Sequence, residues 1–158
     1  MPVSNYFFVF GIIVVEKRRA FVQLLKDKGI CELKSIIVSE LLTTAEHSYW
    51  YWRLGVASSK LTCSKDEFCA ALLAEGLLLN PRYTGALPYT FDWFQNRANK
   101  HPWNNPLYKG NSSQEPNTPN AFAVMENHFN LNISEGWGEK EADDIIAIIN
   151  KVERAYLR

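Results

Sequence analysis

The stretch His128-Phe-Asn-Leu-Asn-Ile-Ser-Glu-Gly-Trp-Gly138, with the segment that follows it to Arg158, decides the fold of this chain. Its first part, Phe129 to Ile133, alternates apolar and polar side chains, which predicts a half-buried strand. After Gly138, acidic residues crowd the first turns and basic residues the last, as a helix dipole favours. Apolar residues recur there at three- and four-residue spacing and predict one buried helix face: Ala142, Ile145, Ile146, Ile149, Val152 and Tyr156. The prediction is an α+β core, which by itself fixes no activity.

The sequence before this stretch predicts further helices and strands. Ser64 followed by Glu67 predicts a capping box, and Thr118-Pro119 predicts a helix start. From 80 to 117, prolines and glycines interleave with aromatic residues, so we expect a long loop that lines a site, clasps a partner or is pinned to its own domain by its rings. The other predicted elements are a helix over 14–28 ended by Gly29, a helix over 64–75, and strands over 35–38, 48–56 and 77–79.

Length and composition narrow the classes of protein. A chain of 158 residues is one domain by the usual size relation and is large enough to bury a core. Apolar residues make up 47% and the net charge is zero, which argues against a disordered chain. The balanced charge also argues against a nucleic-acid partner. Lys17-Arg18-Arg19, the one basic run, is predicted to be a solvated helix face.

The cysteines and the apolar N-terminal run bear on location. Cys31, Cys63 and Cys69 have neither metal-ligand spacing nor an even number, and Cys69 lies in an apolar helical run that predicts a small core residue. A reducing, cytoplasmic setting is expected. The run from Val9 to Val15 is shorter than the roughly 20 residues that span a bilayer, and no basic leader precedes it. We expect it to be buried or covered by a partner, with no membrane contact.

Several phrases in fixed order carry a family resemblance. They are Glu16-Lys-Arg-Arg19, Ala45-Glu-His-Ser-Tyr-Trp-Tyr-Trp52, Ser64-Lys-Asp-Glu-Phe-Cys-Ala-Ala-Leu-Leu-Ala-Glu-Gly76, Arg82-Tyr-Thr-Gly-Ala-Leu-Pro88 and the closing helix pair. Together they resemble the C-terminal part of DegT/DnrJ/StrS-type aminotransferases, over about residues 12–158. These are pyridoxal-phosphate (PLP) enzymes of the aspartate-aminotransferase fold that act mostly on nucleotide-linked sugars and cyclitols.

The resemblance implies a fold and a division of the chain. The fold is α+β, with a small antiparallel or mixed sheet flanked by helices, as in the small domain of fold-type-I PLP aminotransferases. The implied segments are an unassigned apolar stretch at 1–11, a linking helix and strand at 12–44, and the aminotransferase C-terminal small domain at 45–158.

The departures from the family concern the cofactor. Its members carry the Schiff-base lysine, and the aspartate that faces the pyridine nitrogen, in a large domain without counterpart in these residues. All lysines here match small-domain settings, and Asn5-Tyr6 only weakly echoes an Asn-Tyr-Arg phrase because Phe7 replaces the arginine. Since PLP catalysis needs such a lysine, we expect no catalytic or cofactor-binding residue and no covalently bound PLP in this chain alone. Whether the chain is an enzyme stays open.

The resemblance suggests substrate-binding residues. Arg82, Tyr83 and Tyr89 lie in the loop that approaches the sugar in the family, where arginine suits a phosphate or carboxylate and tyrosine a hydroxyl. Loop anchoring is the favoured alternative for all three. His47, where a strand is predicted to begin, is the fourth substrate-binding candidate. A packed, hydrogen-bonded histidine is the favoured alternative to a role as acid or base. His101 and His128 have no ligand partners at metal spacing, so no metal site is expected.

Two functions follow from these observations. The first is the C-terminal small-domain portion of a PLP-dependent aminotransferase acting on nucleotide-sugar or cyclitol substrates, inactive by itself. The second is a stand-alone, non-catalytic binding or interaction module derived from that domain. The expected partners are a large domain or another copy of the chain, together with a nucleotide-sugar.

Overall fold

The computed structural model describes residues 3–40, 42, 44–83, 87–95, 104–111 and 117–158, with side chains from residue 11 onward. Its helices are α1 (Val3–Asp27), α2 (Lys65–Ala74), α3 (Asp92–Gln95), α4 (Pro119–Asn127) and α5 (Glu139–Tyr156). Its strands are β1 (Ile36–Val38), β2 (Tyr51–Val56), β3 (Leu79–Asn80) and β4 (His128–Asn132). These strands form one antiparallel sheet in the order β1-β2-β4-β3. The α+β prediction is confirmed, and the described sheet is antiparallel rather than mixed.

One face of the sheet, the inner face, carries the core. Trp52 pairs with Leu131 and Leu54 with Phe129 across β2 and β4, so their side chains point to the same side. Helices α1, α2 and α5 pack on that side with their own apolar stripes. The buried helical residues in this core are Phe21, Val22, Leu25, Phe68, Cys69, Leu72, Ala142, Ile145, Ile149 and Val152. Most of the predicted faces of α1, α2 and α5 are therefore confirmed.

The helix ends follow the predicted capping. Ser64 Oγ accepts from the Glu67 backbone N–H at 3.2 Å, and the Ser64 N–H donates to Glu67 Oε2 at 2.8 Å, which confirms the capping box. At α5, the Gly138 N–H donates to Glu141 Oε2 at 2.8 Å. Thr118 precedes α4 as predicted, but its side chain does not cap the helix.

Helix α1 is longer than predicted. It begins at Val3 instead of Val14, because the apolar run before residue 14 contains no helix breaker other than Gly11, even though it lacks a polar face. Ile12 and Ile13 are 48% and 49% exposed, so this part of the run is not buried in the chain itself. Cover by a partner stays a prediction, as does the division at 1–11, 12–44 and 45–158.

Two predicted strands have different bounds. Strand β2 begins at Tyr51 instead of Ser48, because Tyr49 has a φ of +48° and cannot continue an extended strand. The strand predicted over 77–79 is displaced to Leu79–Asn80. The backbone N–H of Leu77 donates to the carbonyl of Leu72, which closes the end of α2 and keeps residue 77 out of the sheet.

The basic run is not a purely solvated face. Arg18 donates from Nε and Nη2 to Glu135 Oε2 at 3.1 and 2.9 Å, which ties α1 to the turn before α5. Arg19 forms ion pairs with Glu16 and Glu46, and Lys17 is exposed to solvent. The prediction is therefore wrong for the two arginines, whose charges are used to join segments far apart in sequence.

The remaining global predictions concern cysteines and membranes. Cys69 is buried as predicted, and burial raises the pKa of its thiol to about 11. Cys31 is exposed and Cys63 is half-buried, and all three are free thiols. Within the part of the chain that the structure describes, no helix is long and apolar enough to cross a bilayer.

Candidate functional site

The other face of the sheet, the outer face, carries a row of polar residues. Arg53 and Asn80 both pair with Asn130 in the register of the sheet, so the three residues lie side by side across β2, β4 and β3. They fall on this face because they alternate with the inner-face residues Leu54 and Leu131. The polar row is thus a direct consequence of the strand pattern.

Helix α4 lies beside this row and encloses a cleft of about 370 Å³, which we call the outer-face cleft. Helix α4 supplies an apolar wall, and the sheet supplies a polar floor. The cleft is lined by Arg53, Tyr83, Asn120, Ala121, Val124, Met125, His128, Phe129 and Asn130. Its volume lies within the range of small-molecule sites.

Two side chains in the outer-face cleft carry hydrogen-bond donors that have no partner among the described residues. Asn130 is only 5% exposed, and its Nδ2 finds no acceptor among the described residues. An unsatisfied buried donor costs about 1–3 kcal/mol, and native proteins contain few of them. Arg53 is exposed, and no described carboxylate lies within ion-pair distance of its guanidinium. Within the described chain, Arg53 thus has no ion-pair partner, and Asn130 retains an unpaired amide donor.

His128 closes one end of the outer-face cleft in a defined orientation. Its Nδ1 lies 2.9 Å from the carbonyl oxygen of Val124, which can only accept, so Nδ1 carries the proton. The ring lies over Gly55, its register partner. A Cβ at Gly55 would lie 3.3 Å from His128 Nε2 and 3.0 Å from the Cβ of Ile37, so glycine permits this close approach.

Lys65 holds the elements around the cleft together. Its side chain is 5% exposed, and its ammonium donates to the carbonyls of Pro81 and Met125 at 2.8 and 3.3 Å. The same ammonium lies 3.0 Å from Asp66 Oδ1 and, with Arg82, holds the pKa of that carboxyl below its usual value. Lys65 therefore links α2, the segment after β3, and α4.

The cofactor implied by the resemblance does not fit the outer-face cleft or the surroundings of Lys65. Covalent PLP needs a lysine amine that is free and faces a cavity. Lys65 is the buried lysine of the described chain, but its ammonium protons are already donated, and no lysine lines the outer-face cleft.

Arg82 and Tyr83 take different positions at the rim of the outer-face cleft. Arg82 Nη2 lies 2.9 Å from Glu126 Oε1 on α4 and 3.4 Å from Asp66 Oδ2 on α2, so its charge is already paired within the chain. The ring of Tyr83 packs against Tyr51 at 5.6 Å, and its side chain lines the cleft. Anchoring describes Arg82 here, while Tyr83 faces the site. Substrate contact stays a prediction for both.

Tyr89 lies apart from that pair. Its hydroxyl oxygen accepts a hydrogen bond from Thr118 Oγ1 at 2.9 Å, and its carbonyl accepts from the Gln95 side chain. These bonds connect two parts of the long loop with each other. His101 and much of the remaining loop lie outside the described residues.

His47 lies in a second groove, on the side of β2 away from α4. It precedes β2 without belonging to it, its carbonyl accepts from Arg19 Nε at 2.7 Å, and its ring stacks on Tyr49 at 5.1 Å. Arg53 lines both this groove and the outer-face cleft. No group of three or more metal-ligating side chains occurs among the residues with a described placement.

Sequence reasoning missed Arg53 and Asn130 as site residues. Each stands between apolar residues in a predicted strand, so the alternation already placed both on a non-core face. What the alternation could not supply is their pairing, which joins positions far apart in the chain.

Comparisons with known proteins identify the fold. No protein-family model matches the sequence, and no curated protein matches it. Among solved structures, the aminotransferase TlmJ from Streptoalloteichus hindustanus is similar with a TM-score of 0.62 at 15% identity, over 90% of this chain and 32% of that one. The aminotransferase from Psychrobacter cryohalolentis gives a TM-score of 0.62 at 17% identity, over 90% and 35%.

Two sugar aminotransferases are also similar. CalS13 from Micromonospora echinospora gives a TM-score of 0.55 at 14% identity, over 87% of this chain and 30% of that one. The putative sugar aminotransferase Spr1654 from Streptococcus pneumoniae, solved in its PMP form, gives 0.55 at 18% identity, over 90% and 31%. The chain therefore has the fold of part of an aminotransferase and spans about a third of the length of each. The predicted resemblance is confirmed at the level of this partial fold.

Proposed function

We propose that this chain is the C-terminal small-domain portion of a PLP-dependent aminotransferase that acts on nucleotide-sugar or cyclitol substrates. The observation that carries the proposal is the fold, because 90% of the chain superposes on about a third of aminotransferases. The ordered phrases of the sequence support the same assignment. In this role the chain positions substrate and shields the reaction from water, and the lysine chemistry comes from a large domain.

The proposal includes a partner that covers apolar surface. Ile12, Ile13, Ile37 and Trp50 are between 48% and 77% exposed, and large exposed apolar side chains of this kind suit an interface. A large domain or another copy of the chain is the expected partner. A cytoplasmic location also belongs to the proposal, and the three free cysteines support it.

The first experiment tests inactivity of the isolated chain. The purified protein is mixed with PLP, reduced with borohydride and mapped by mass spectrometry, with the intact Psychrobacter cryohalolentis aminotransferase as positive control. We expect weak labelling spread over exposed lysines, because Lys65 has no free donor. Stoichiometric labelling of one lysine would contradict the proposal.

The second experiment tests the partner. Where a neighbouring reading frame encodes a large domain, that polypeptide is produced separately, and transamination of nucleotide-sugars and cyclitols is assayed for each protein and for the mixture. Activity that requires both proteins would support the proposal. A mixture that neither associates in sizing chromatography nor gains activity would count against it.

A stand-alone binding module is the second candidate, and the outer-face cleft favours it. Arg53 and Asn130 line it and carry donors that have no partner among the described residues. A protein that is monomeric at high concentration and binds a small ligand by itself would favour this function. Concentration-dependent self-association would favour the first.

A further inference from the structure

We propose that the outer-face cleft binds the oxyanion group, phosphate or carboxylate, of a small organic ligand through Arg53, Asn130 and Tyr83. This inference goes beyond the proposed function, since it needs no residue outside the chain and no cofactor. The three donors line one cleft and come from β2, β4 and the segment after β3.

The charge balance of the cleft selects an anion. Arg53 is the one cation among the cleft-lining residues, and none of those residues is acidic. The carboxylates of Glu126 on α4 and Asp66 on α2 are engaged elsewhere, because Glu126 pairs with Arg82 and Asp66 with both Arg82 and Lys65. Glu40 lines the second groove together with Arg53, but no ion pair joins their side chains among the described contacts. The guanidinium therefore keeps its charge for a ligand, and its planar fork matches phosphate and carboxylate oxygens.

The buried amide of Asn130 selects a hydrogen-bond acceptor. Asn130 is the register partner of Arg53 and is only 5% exposed, and its Nδ2 has no acceptor within the described chain. A ligand oxygen that reaches Arg53 can also accept from this amide. The Tyr83 hydroxyl at the rim supplies a third donor.

The opposite wall limits the rest of the ligand. Ala121, Val124 and Met125 of α4 present apolar surface. The protonated Nδ1 of His128 is bonded to Val124, so its Nε2 can contact a ligand hydroxyl. A ligand body with both apolar edges and hydroxyl groups, such as a sugar or a short organic acid, fits this lining. A large polymer does not fit a cleft of about 370 Å³.

The test is calorimetric titration of the full chain with three probes at low and physiological salt. Glucose 1-phosphate carries a phosphoryl group, glutarate carries carboxylates, and glucose is the neutral control. The variants are Arg53→Gln and Asn130→Asp, and the matched control is Arg154→Gln, an exposed arginine on α5 outside the cleft lining. Thermal unfolding without probe confirms that each variant is folded.

We expect saturable binding of at least one oxyanion probe, weakened tenfold or more by Arg53→Gln and by Asn130→Asp, and unchanged by Arg154→Gln. Preference for one probe identifies the ligand as a phosphate or a carboxylate. The proposal is overturned if neither oxyanion binds, if glucose binds as well as they do, or if Arg154→Gln weakens binding as much as Arg53→Gln. If Asn130→Asp does not fold, the binding measured for Arg53→Gln alone tests the proposal. Absence of oxyanion binding does not affect the aminotransferase proposal, because that proposal rests on the fold.

Discussion

The two faces of the sheet are built from the same strands, but the inner face packs the core and the outer face carries the cleft. On the inner face, Trp52, Leu54, Phe129 and Leu131 are at most 6% exposed and interlock with three helices. On the outer face, Arg53 is exposed and Asn130 is buried, and within the described part of the chain neither the guanidinium nor the amide Nδ2 has a partner. A buried donor without an acceptor lowers the free energy of unfolding, so the amide of Asn130 does not stabilise the fold. Neighbouring residues of each strand point to opposite faces, so the core residues and the cleft residues alternate along the same strands.

The largest expected effect breaks the inner face. Leu131→Ala should lower the free energy of unfolding by about 2–5 kcal/mol, because Leu131 is 0% exposed at the centre of the core. The matched change one residue away, Asn130→Val, should be neutral or stabilising, since it removes the unsatisfied amide. Urea unfolding measures both. Similar losses in the two variants would show that the faces do not differ as described.

An intermediate loss of stability is expected when the buried carboxylate of Glu153, at the edge of the core, is removed. Glu153 is 7% exposed, and its Oε2 accepts from the Ser35 backbone N–H and Oγ, each at 2.6 Å. Glu153→Ala should cost about 1–3 kcal/mol because it strands the buried Ser35 donors. Glu40→Ala, at an exposed position, is the control and should stay within about 0.5 kcal/mol. Equal unfolding midpoints for the two variants would refute this role.

The smallest effect concerns pH and the helix caps. The Ser64 backbone N–H and then its hydroxyl hold the pKa of Glu67 below its usual value, and the Gly138 N–H does the same for Glu141. A pKa lowered by folding means that these carboxylates stabilise the protein above the unfolded pKa of about 4.3, and that this is lost as pH falls through the folded pKa.

Thermal unfolding between pH 7 and pH 3 measures this loss. Glu67→Gln should flatten the acid part of the profile relative to the parent protein, because the variant has no proton to take up at that position. Parallel profiles for the two proteins would mean that the cap carries no pH-dependent stability.

Local patterns predicted what depends on neighbours in sequence. The buried stripe of α5 and the Ser64–Glu67 capping box need only residues three or four positions apart, and both are present. The outer-face cleft needs Arg53 and Asn130 side by side, which depends on strand register. The sequence did not predict the start of β2, because a positive φ is usually indicated by glycine and here it occurs at Tyr49. The ion pair of Arg18 with Glu135 likewise joins distant segments.

The environment of Lys65 also makes it a built-in reporter of the folded state. Amine-reactive reagents should modify the exposed lysines within minutes and reach Lys65 only after α2 has separated from Pro81 and Met125. The rate of the slow labelling phase would report how fast the contacts of Lys65 with Pro81 and Met125 open, without any engineered probe.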